Sequence, residues 1–372
     1  MNRRIAALLA LASGVLLGCA DGPADVPWRP TPLSGPQACL DSTRSDTVRA
    51  ASYNLSIGFR VEDLLFIDQG SDSVLLRRVR GIFTDADRSL PRERIRRIAQ
   101  EIAAVRPEVV GLQECLRLER NGVVVIDMLD TLRADLAAQG MGDWRILSHP
   151  MNPVDVVVGV PGGDSERVVF HEGLALLHSP RWSVAHHDVF SYRSVLSIDL
   201  IGRRATSERA AQGAVLVRDD GFRLETWNTH LEVLPYQRRN QATELAFIAD
   251  SLRWIRRSQG PSGRLLLGDL NSNPGLEADS LLSISGWRDA WSDALTRNRD
   301  TGATCCVENN RSASGGYRAS GRRIDYVRHQ GGCRVDSARV HLDEWFLTPS
   351  GDTLWASDHG FVFARLVYGV RR

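Results

Sequence analysis

Residues 265–274 read Leu-Leu-Leu-Gly-Asp-Leu-Asn-Ser-Asn-Pro, and this stretch says more about the fold than any other in the chain. Its apolar start is typical of a buried strand that stops at a glycine. A carboxylate, Asp269, and a carboxamide, Asn271, follow two residues apart, a spacing that places both on one face of an extended chain. A strand followed by an Asx turn would also explain Asn273 and Pro274, but it explains Asp269 less well. We therefore expect Asp269 and Asn271 in a functional site at a strand end.

Polar residues close three more apolar strands. Asn54 follows an apolar run that begins at Val48, and Glu114 follows residues 109–113. His230 ends a third run, at residues 222–227, two residues after an asparagine. Singly, each is weak evidence, because an asparagine or glutamate at a strand end is usually a solvated turn residue. A lone histidine is likewise more often structural than catalytic.

The fifth strand end is a pair of segments near the C-terminus. Asp325 lies in the apolar stretch 323–327, and Asp358 and His359 come just before a predicted strand at 361–367. An Asp-His dipeptide offers a metal ligand or a base, and a second aspartate on a neighbouring strand can orient the imidazole. Separately, either segment could instead be a buried hydrogen-bonded pair.

The rest of the chain predicts more strands than helices, alternating irregularly, with no second linker after residue 47. A helix is predicted to start with Ser89 as its cap and Pro91 in its first turn, because isoleucines follow at helical spacing. Residues 299–321, rich in Gly, Ser, Asn and Arg, predict a long surface loop. We expect further helices at 126–139 and 238–255, and further strands at 173–177, 214–217 and 264–267.

Composition excludes several kinds of enzyme. The chain has 372 residues, of which 43% are hydrophobic, enough for a sizeable core. All 46 basic residues are arginines, since the sequence contains no lysine. A Walker-type phosphate loop, a Schiff-base lysine and a pyridoxal enzyme are therefore excluded. A serine hydrolase is disfavoured because no Gly-x-Ser-x-Gly run occurs.

The N-terminus has the pattern of an export signal. Two arginines precede an apolar run at residues 5–17, and Leu-Leu-Gly-Cys follows, ending at Cys19. This resembles a bacterial lipoprotein signal at residues 1–18, with Cys19 as the lipidated first residue of the mature chain. An ordinary secretory signal or a short buried helix would be the alternatives. Residues 19–46, rich in proline and glycine, then predict a tether, and residues 47–372 a single domain.

The net charge argues against nonspecific binding of nucleic acid, and the cysteines predict a disulfide rather than a zinc site. Removing residues 1–18 takes away two arginines and leaves a formal charge of about −1, so no overall basic field would hold nucleic acid. Export makes disulfides plausible, and we expect Cys333 to pair with Cys305 or Cys306. No histidine pair stands beside the cysteines at the spacing of a zinc site.

Taken together and in this order, the five strand ends resemble the endonuclease/exonuclease/phosphatase superfamily. The resemblance covers roughly residues 48–367, with strong motifs and weak similarity between them. It implies an α/β (α+β) fold: a four-layer αββα sandwich of two mixed β-sheets flanked by helices. It also implies a Mg²⁺ (or Mn²⁺) site, in which Glu114 is the principal ligand, Asn54 lies beside it and Asp358 is a further ligand. Such oxygen donors suit a hard cation.

The resemblance also implies catalytic roles. Asp269 matches the residue that positions or deprotonates the attacking water, and Asn271 the amide that holds the phosphate. His359, oriented by Asp325, matches a base or charge-assisted donor to the phosphoryl oxygen. His230 matches the position of a second histidine in phosphodiesterases of the family, suited to protonating the leaving oxygen.

From these residues we expect a metal-dependent phosphodiesterase that acts by in-line attack of water. The alternatives are a phosphomonoesterase of the same fold and a binding lipoprotein that has lost its activity, although no site residue is missing. We expect a monomer that is exported and anchored by lipid to a bacterial membrane, periplasmic or at the cell surface. Nucleic acid would be a substrate only. A local patch of Arg311, Arg318, Arg322 and Arg323 could hold phosphates, with solvated surface arginines as the alternative.

Overall fold

The computed structural model describes residues 45–369, apart from residues 60–71, 161, 201–202, 256–261, 300, 308–316, 318–319 and 343. The predicted signal peptide, Cys19 and almost all of the tether lie outside the described residues. The first strand spans Ser45–Asn54 and so begins two residues before the predicted domain boundary. No helix among the described residues is long and apolar enough to cross a membrane.

Strands and short helices alternate irregularly, as predicted. The helices are α1 (Asp72–Arg88), α2 (Pro91–Val105), α3 (Met128–Ala138), α4 (Pro235–Ile255), α5 (Glu277–Ile284) and α6 (Ala290–Asp293). The strands are β1 (Ser45–Asn54), β2 (Val109–Gln113), β3 (Arg117–Arg120), β4 (Val123–Asp127), β5 (Arg145–Gly159), β6 (Ser165–His178), β7 (Trp182–Ser191), β8 (Leu196–Leu200), β9 (Arg203–Ser207), β10 (Ala210–Arg218), β11 (Arg223–His230), β12 (Gly263–Asp269), β13 (Arg288–Asp289), β14 (Ala294–Arg297), β15 (Asp325–Gln330), β16 (Gly332–His341), β17 (Phe346–Leu347), β18 (Thr353–Leu354) and β19 (Phe361–Gly369).

Most strands form two large mixed sheets. Sheet A has the order β14-β16-β19-β1-β2-β6-β3-β4, with β5 paired to β6, and sheet B has the order β13-β15-β12-β11-β10-β7. The pairs β1-β2 and β11-β12 are parallel, whereas β19, β6, β10 and β15 run antiparallel to their partners. The small ladders β8-β9 and β17-β18 lie outside these sheets.

The two sheets pack face to face, with helices on their outer sides. Val48, Ala50 and Val109 of sheet A share one buried cluster with Leu265 and Leu267 of sheet B. The other face of sheet A packs against α1, α2 and α3 in a second cluster. Helix α4 covers sheet B, since Arg264 on β12 donates to the carbonyl of Ala249 at 2.8 Å. The predicted four-layer αββα sandwich is confirmed.

The parallel strand pairs place the predicted site residues at one edge of the sandwich. Residue Asn54 pairs with Gln113, which directly precedes Glu114. In sheet B, Asp269 lies between His230 on β11 and Asp325 on β15. Because the carboxyl ends of parallel strands meet at the same edge, residues up to 271 positions apart in sequence are brought together.

Helix α2 begins as predicted, but its predicted cap is wrong. The N-cap is Leu90, with a left-handed φ of 48°, and no side chain caps the helix. Ser89 instead donates from Oγ to the carbonyl of Ala86 at 2.8 Å, because it still belongs to the final turn of α1. The buried face of α2 carries Ile95 and the other predicted isoleucines.

The predicted pairing of Cys333 is wrong as well. The structure joins Cys305 to Cys306 in a disulfide. The Cys305 backbone bridges to His359, just before β19, whereas Cys333 lies near the opposite end of that strand, in register between Tyr368 and Val367. At ~3.3 Å per residue, the eight or nine residues between these positions separate them by roughly 26–30 Å.

Candidate active site

Asn54 and Glu114 form the first part of the site. Asn54 is fully buried at the end of β1, and its Nδ2 donates to Glu114 Oε1 at 2.9 Å. The backbone N–H of Ile57 donates to Glu114 Oε2 at 2.8 Å. Glu114 has a left-handed φ of 55°, which turns the chain sharply at the end of β2. The side chains predicted as metal ligands from β1 and β2 therefore lie in direct contact.

Asp358 is brought to the same place by its neighbour. The hydroxyl of Ser357 donates to the Asn54 carbonyl at 2.7 Å, and the N–H of His359 donates to that hydroxyl at 3.1 Å. These bonds fix the segment before β19 against the end of β1. The Asp358 side chain stays about one-third exposed, so its carboxylate faces the open side of the site.

The donor set fits a hard divalent cation. Burial, followed by the nearby carboxylates of Asp358 and Glu172, raises the pKa of Glu114 to about 7 against the smaller opposing effects of His359 and Asn54. Carboxylates crowded in this way are held ionised when a cation neutralises them. Asn54, Glu114 and Asp358 supply only oxygen and amide donors, as the sequence predicted for Mg²⁺ or Mn²⁺.

Asp269 lies at the centre of the site. It is 1% exposed, and its Oδ2 lies 3.2 Å from Asn54 Nδ2, 3.5 Å from His230 Nε2 and 3.8 Å from His359 Nε2. Burial and the Asp325 carboxylate together raise the pKa of Asp269 to about 6, against the lowering effects of His359, the Asn271 N–H and Asn54. Asp269 is thus mostly ionised at pH 7 and basic enough to accept a proton.

Asn271 reaches the site by a route that differs from the predicted alternation. β12 ends at Asp269, and Asn271 adopts a left-handed φ of 49°. Its backbone N–H donates to Asp269 Oδ1 at 2.8 Å, which is the Asx-type turn considered as the alternative. The Asn271 side chain still converges on the site, with Nδ2 donating to the carbonyl of Leu231 at 2.8 Å and lying 3.2 Å from His230 Nε2.

His359 and Asp325 form a buried pair. His359 Nδ1 lies 2.9 Å from Asp325 Oδ2, which leaves Nε2 directed toward Asp269 and Asp358. Burial alone would lower the pKa of His359, but the three carboxylates of Asp325, Asp358 and Asp269 outweigh it and raise that pKa well above its usual value. The ring is therefore an imidazolium at neutral pH in the metal-free protein.

His230 is in the opposite electrostatic state. Arg209 Nη1 lies 2.8 Å from His230 Nδ1. An arginine can only donate, so Nδ1 accepts and the proton of the neutral ring is on Nε2. Burial, together with the charges of Arg209 and His359, lowers the pKa of His230 well below its usual value. The expected role as proton donor needs an imidazolium, which this arrangement disfavours.

Sequence reasoning missed several residues of the site. Arg209, directly before β10, contacts Glu172 Oε1 at 3.2 Å as well as His230. Glu172 is buried on β6. An acidic residue next to the apolar end of that strand was the sequence signal that could have identified it. The buried guanidinium of Arg94 donates to the carbonyls of Leu55, Ser56 and Ala356, beside both halves of the predicted metal site.

Of the predicted arginine patch, the structure describes Arg322 and Arg323. Arg323 is buried and paired with Asp289 at 2.7 Å. Arg322 Nη1 lies 3.4 Å from Cys306 Sγ. Arg311 and Arg318, like much of the predicted loop at 299–321, lie outside the described residues.

Comparison with known proteins identifies the fold. The sequence matches no protein-family model and none of the curated proteins compared with it. An endonuclease/exonuclease/phosphatase family protein from Bacteroides thetaiotaomicron is similar in structure, with a TM-score of 0.59 and 18% identity over 88% of this chain and 99% of that chain. A mannosyl-6-phosphatase from the same organism gives 0.56 and 19%, over 86% and 100%. Truncated TDP2 from Caenorhabditis elegans gives 0.51 and 20%, over 86% and 97%. The chain therefore has the fold of endonuclease/exonuclease/phosphatase proteins.

Proposed function

We propose that this chain is a divalent-metal-dependent hydrolase of phosphate esters and a member of the endonuclease/exonuclease/phosphatase superfamily. The observation that carries the proposal is the position of Asp269. One buried carboxylate oxygen lies within 4 Å of an asparagine amide and two imidazoles, next to a cluster of oxygen donors. This set can hold a water and a phosphate group together.

In this proposal, each residue has one task. Asn54, Glu114 and Asp358 hold Mg²⁺ or Mn²⁺, which when bound neutralises charge on the phosphate. Asp269 orients the attacking water and accepts its proton. The imidazolium of His359, held by Asp325, donates to a phosphoryl oxygen on which negative charge develops.

His230 and Asn271 act as neutral donors. Nε2 of His230 lies 3.5 Å from Asp269 Oδ2, and Nδ2 of the Asn271 amide lies 3.2 Å from the same ring nitrogen. They can therefore bind a phosphoryl oxygen by hydrogen bonds, which is the role the resemblance implied for Asn271. This revises the role of His230 from proton donor to phosphate ligand.

The substrate class we propose first is a phosphodiester, either a phospholipid head group, a nucleotide or a nucleic acid. A phosphomonoester is the second candidate, supported by the similarity in fold to a mannosyl-6-phosphatase. We also propose that the protein is a monomer, exported and anchored through a lipidated Cys19, which would bring the site near a membrane.

A magnesium-dependent activity panel tests the proposal. It should include sphingomyelin, other phospholipids, plasmid DNA, inositol phosphates, a sugar phosphate and a nitrophenyl phosphodiester. We expect turnover of at least one ester that chelation abolishes and Mg²⁺ restores. Asp269→Asn should lower turnover by ~10²–10⁴-fold, whereas the control Asp155→Asn, at an exposed ion pair on β5, should not. Full turnover in excess chelator would overturn the metal site.

A further inference from the structure

The Cys305–Cys306 pair lies directly against the segment that carries His359. The N–H of Gly360 donates to the Thr304 carbonyl at 2.7 Å, and the N–H of Val307 donates to the Asp358 carbonyl at 3.2 Å. Cys305 forms a β-bridge with His359 between these two bonds. The backbone therefore holds residues 304–307 directly against residues 358–360.

The three side chains make a donor set of their own. The sulfurs of Cys305 and Cys306 and a ring nitrogen of His359 all lie within 4.8 Å of one another. Cys305 is fully buried, His359 is 6% exposed and Cys306 is half-buried, so a ligand can reach the group from the Cys306 side. Two sulfurs and an imidazole suit Zn²⁺ or Cd²⁺, unlike the oxygen donors around Glu114.

The surroundings favour metal binding once the sulfurs are free. Asp325 accepts a hydrogen bond from Nδ1 of His359 and so fixes the orientation of the ring, as carboxylates do for many metal-binding histidines. The guanidinium of Arg322 lies 3.4 Å from Cys306 Sγ and favours the thiolate, the form that binds metal. In the structure the sulfurs are joined as a disulfide. A dithiol supplies two electrons and two protons and is itself oxidised to a disulfide, whereas a phosphine supplies the two electrons as it becomes a phosphine oxide and water supplies the oxygen and the two protons. A divalent cation then displaces the protons of both thiols and the proton on the His359 nitrogen that binds it.

We propose that reduced Cys305 and Cys306 form, with His359, a second metal site that takes Zn²⁺ or Cd²⁺ in preference to Mg²⁺. Occupation of this site withdraws His359 from the catalytic centre and so silences it. The inhibitory consequence rests on the proposed hydrolase function, but the binding site does not.

Binding is tested on the full chain without an activity assay. The protein is reduced with a phosphine, freed of metal under anaerobic conditions and titrated with Cd²⁺ in millimolar Mg²⁺, while the thiolate-to-cadmium charge-transfer band is followed. We expect the reduced wild type to bind Cd²⁺ and the oxidised protein to lack this band. Cys306→Ser and His359→Ala should each weaken Cd²⁺ binding by at least ~10-fold. Loss of a residue that only supports a metal ligand already costs about this much, so loss of a ligand should cost no less.

Cys333→Ser is the matched control, since it removes a cysteine from the far end of β16. It should bind Cd²⁺ as the wild type does, and circular dichroism should show all three variants folded. Equal binding by the wild type and Cys306→Ser would overturn the site, as would binding that depends on Cys333 instead.

Inhibition is tested separately with Zn²⁺ at saturating Mg²⁺. Cys306→Ser should turn over at the wild-type rate yet need roughly 10-fold more Zn²⁺ for half inhibition. Equal inhibition of both proteins would assign the effect to the oxygen ligands around Glu114 and overturn the shared role of His359. If neither protein hydrolyses any ester, the proposed function fails, and the Cd²⁺ titration still decides whether the second site exists.

Discussion

Replacing Glu114 with glutamine should stabilise the metal-free protein at alkaline pH. Burial and two neighbouring carboxylates raise the pKa of Glu114 from its ordinary 4.5 to about 7. A group whose pKa is raised on folding contributes stability below its unfolded value, and this is lost as pH rises through the folded value. Above about pH 7, the folded protein therefore carries an ionised carboxylate in an unfavourable place.

The size of the effect follows from the same numbers. At about 1.4 kcal/mol for each tenfold change, the raised pKa corresponds to about 3 kcal/mol, which the partial exposure of Glu114 reduces to ~2 kcal/mol. Glutamine has one acceptor oxygen, so residue 114 loses its hydrogen bond with either Asn54 Nδ2 or the N–H of Ile57, at a cost of ~1 kcal/mol. Glu114→Gln should thus gain ~1 kcal/mol at pH 8.5, and near pH 5 the gain should disappear.

Urea unfolding in chelator at both pH values measures this difference. Glu101→Gln is the matched control of opposite sign, because a hydrogen bond with His341 lowers the pKa of Glu101. That variant should be less stable than the wild type at pH 8.5. Adding Mg²⁺ should then reverse the order of wild type and Glu114→Gln, since only the wild type keeps its principal ligand. If Glu114→Gln is the less stable protein in chelator at pH 8.5, the carboxylate is not strained there and the electrostatic argument for a cation fails.

Three further predictions concern individual residues. His359→Ala should lower turnover by ~10²-fold or more with every substrate, and Asp325→Asn by roughly 10-fold because it disturbs the ring without removing it; kinetics at fixed Mg²⁺ compare the two. His230→Ala should lose a similar factor, ~10²-fold, on an alkyl and a nitrophenyl phosphodiester, whereas a much larger loss on the alkyl ester would restore the proton-donor role. Cys19→Ser should leave the domain folded but unlipidated, which fractionation and fatty-acid labelling would detect; a wild type without an acyl group would refute the anchor.

Strand ends were the part of the site that the sequence could predict. A carboxylate directly after an apolar run, as at Asp269 or Glu114, is visible in the local sequence, and five polar strand ends together indicate a site where a single one does not. Their convergence depends on sheet register, which pairs Asp269 with both His230 and Asp325. The order of apolar and polar residues does not specify that register, which followed only from the resemblance to a known fold.

Other features could not be predicted because their cause is not local. The N-cap of α2 depends on how tightly α1 ends, which leaves Ser89 bonded backward to Ala86. The cysteine pairing depends on where each cysteine lies along β19. Cys305 lies beside the start of β19, and the register of β16 places Cys333 beside its last residues. Propensity and spacing contain neither piece of information.

The arginine beside His230 shows how such a distant contact can change the chemistry of a motif. Residues 226–231 predicted a histidine at a strand end, and this is where His230 lies. Whether that histidine donates a proton or only a hydrogen bond depends on its second nitrogen. A carboxylate there would favour the imidazolium, whereas Arg209 can only donate and so requires a neutral ring. Arg209 lies 21 residues earlier, directly before β10, and reaches His230 because β10 and β11 pair antiparallel. The role of His230 is therefore decided by the neighbouring strand. Comparing the loss of activity of His230→Ala on the alkyl and the nitrophenyl phosphodiester tests that role directly.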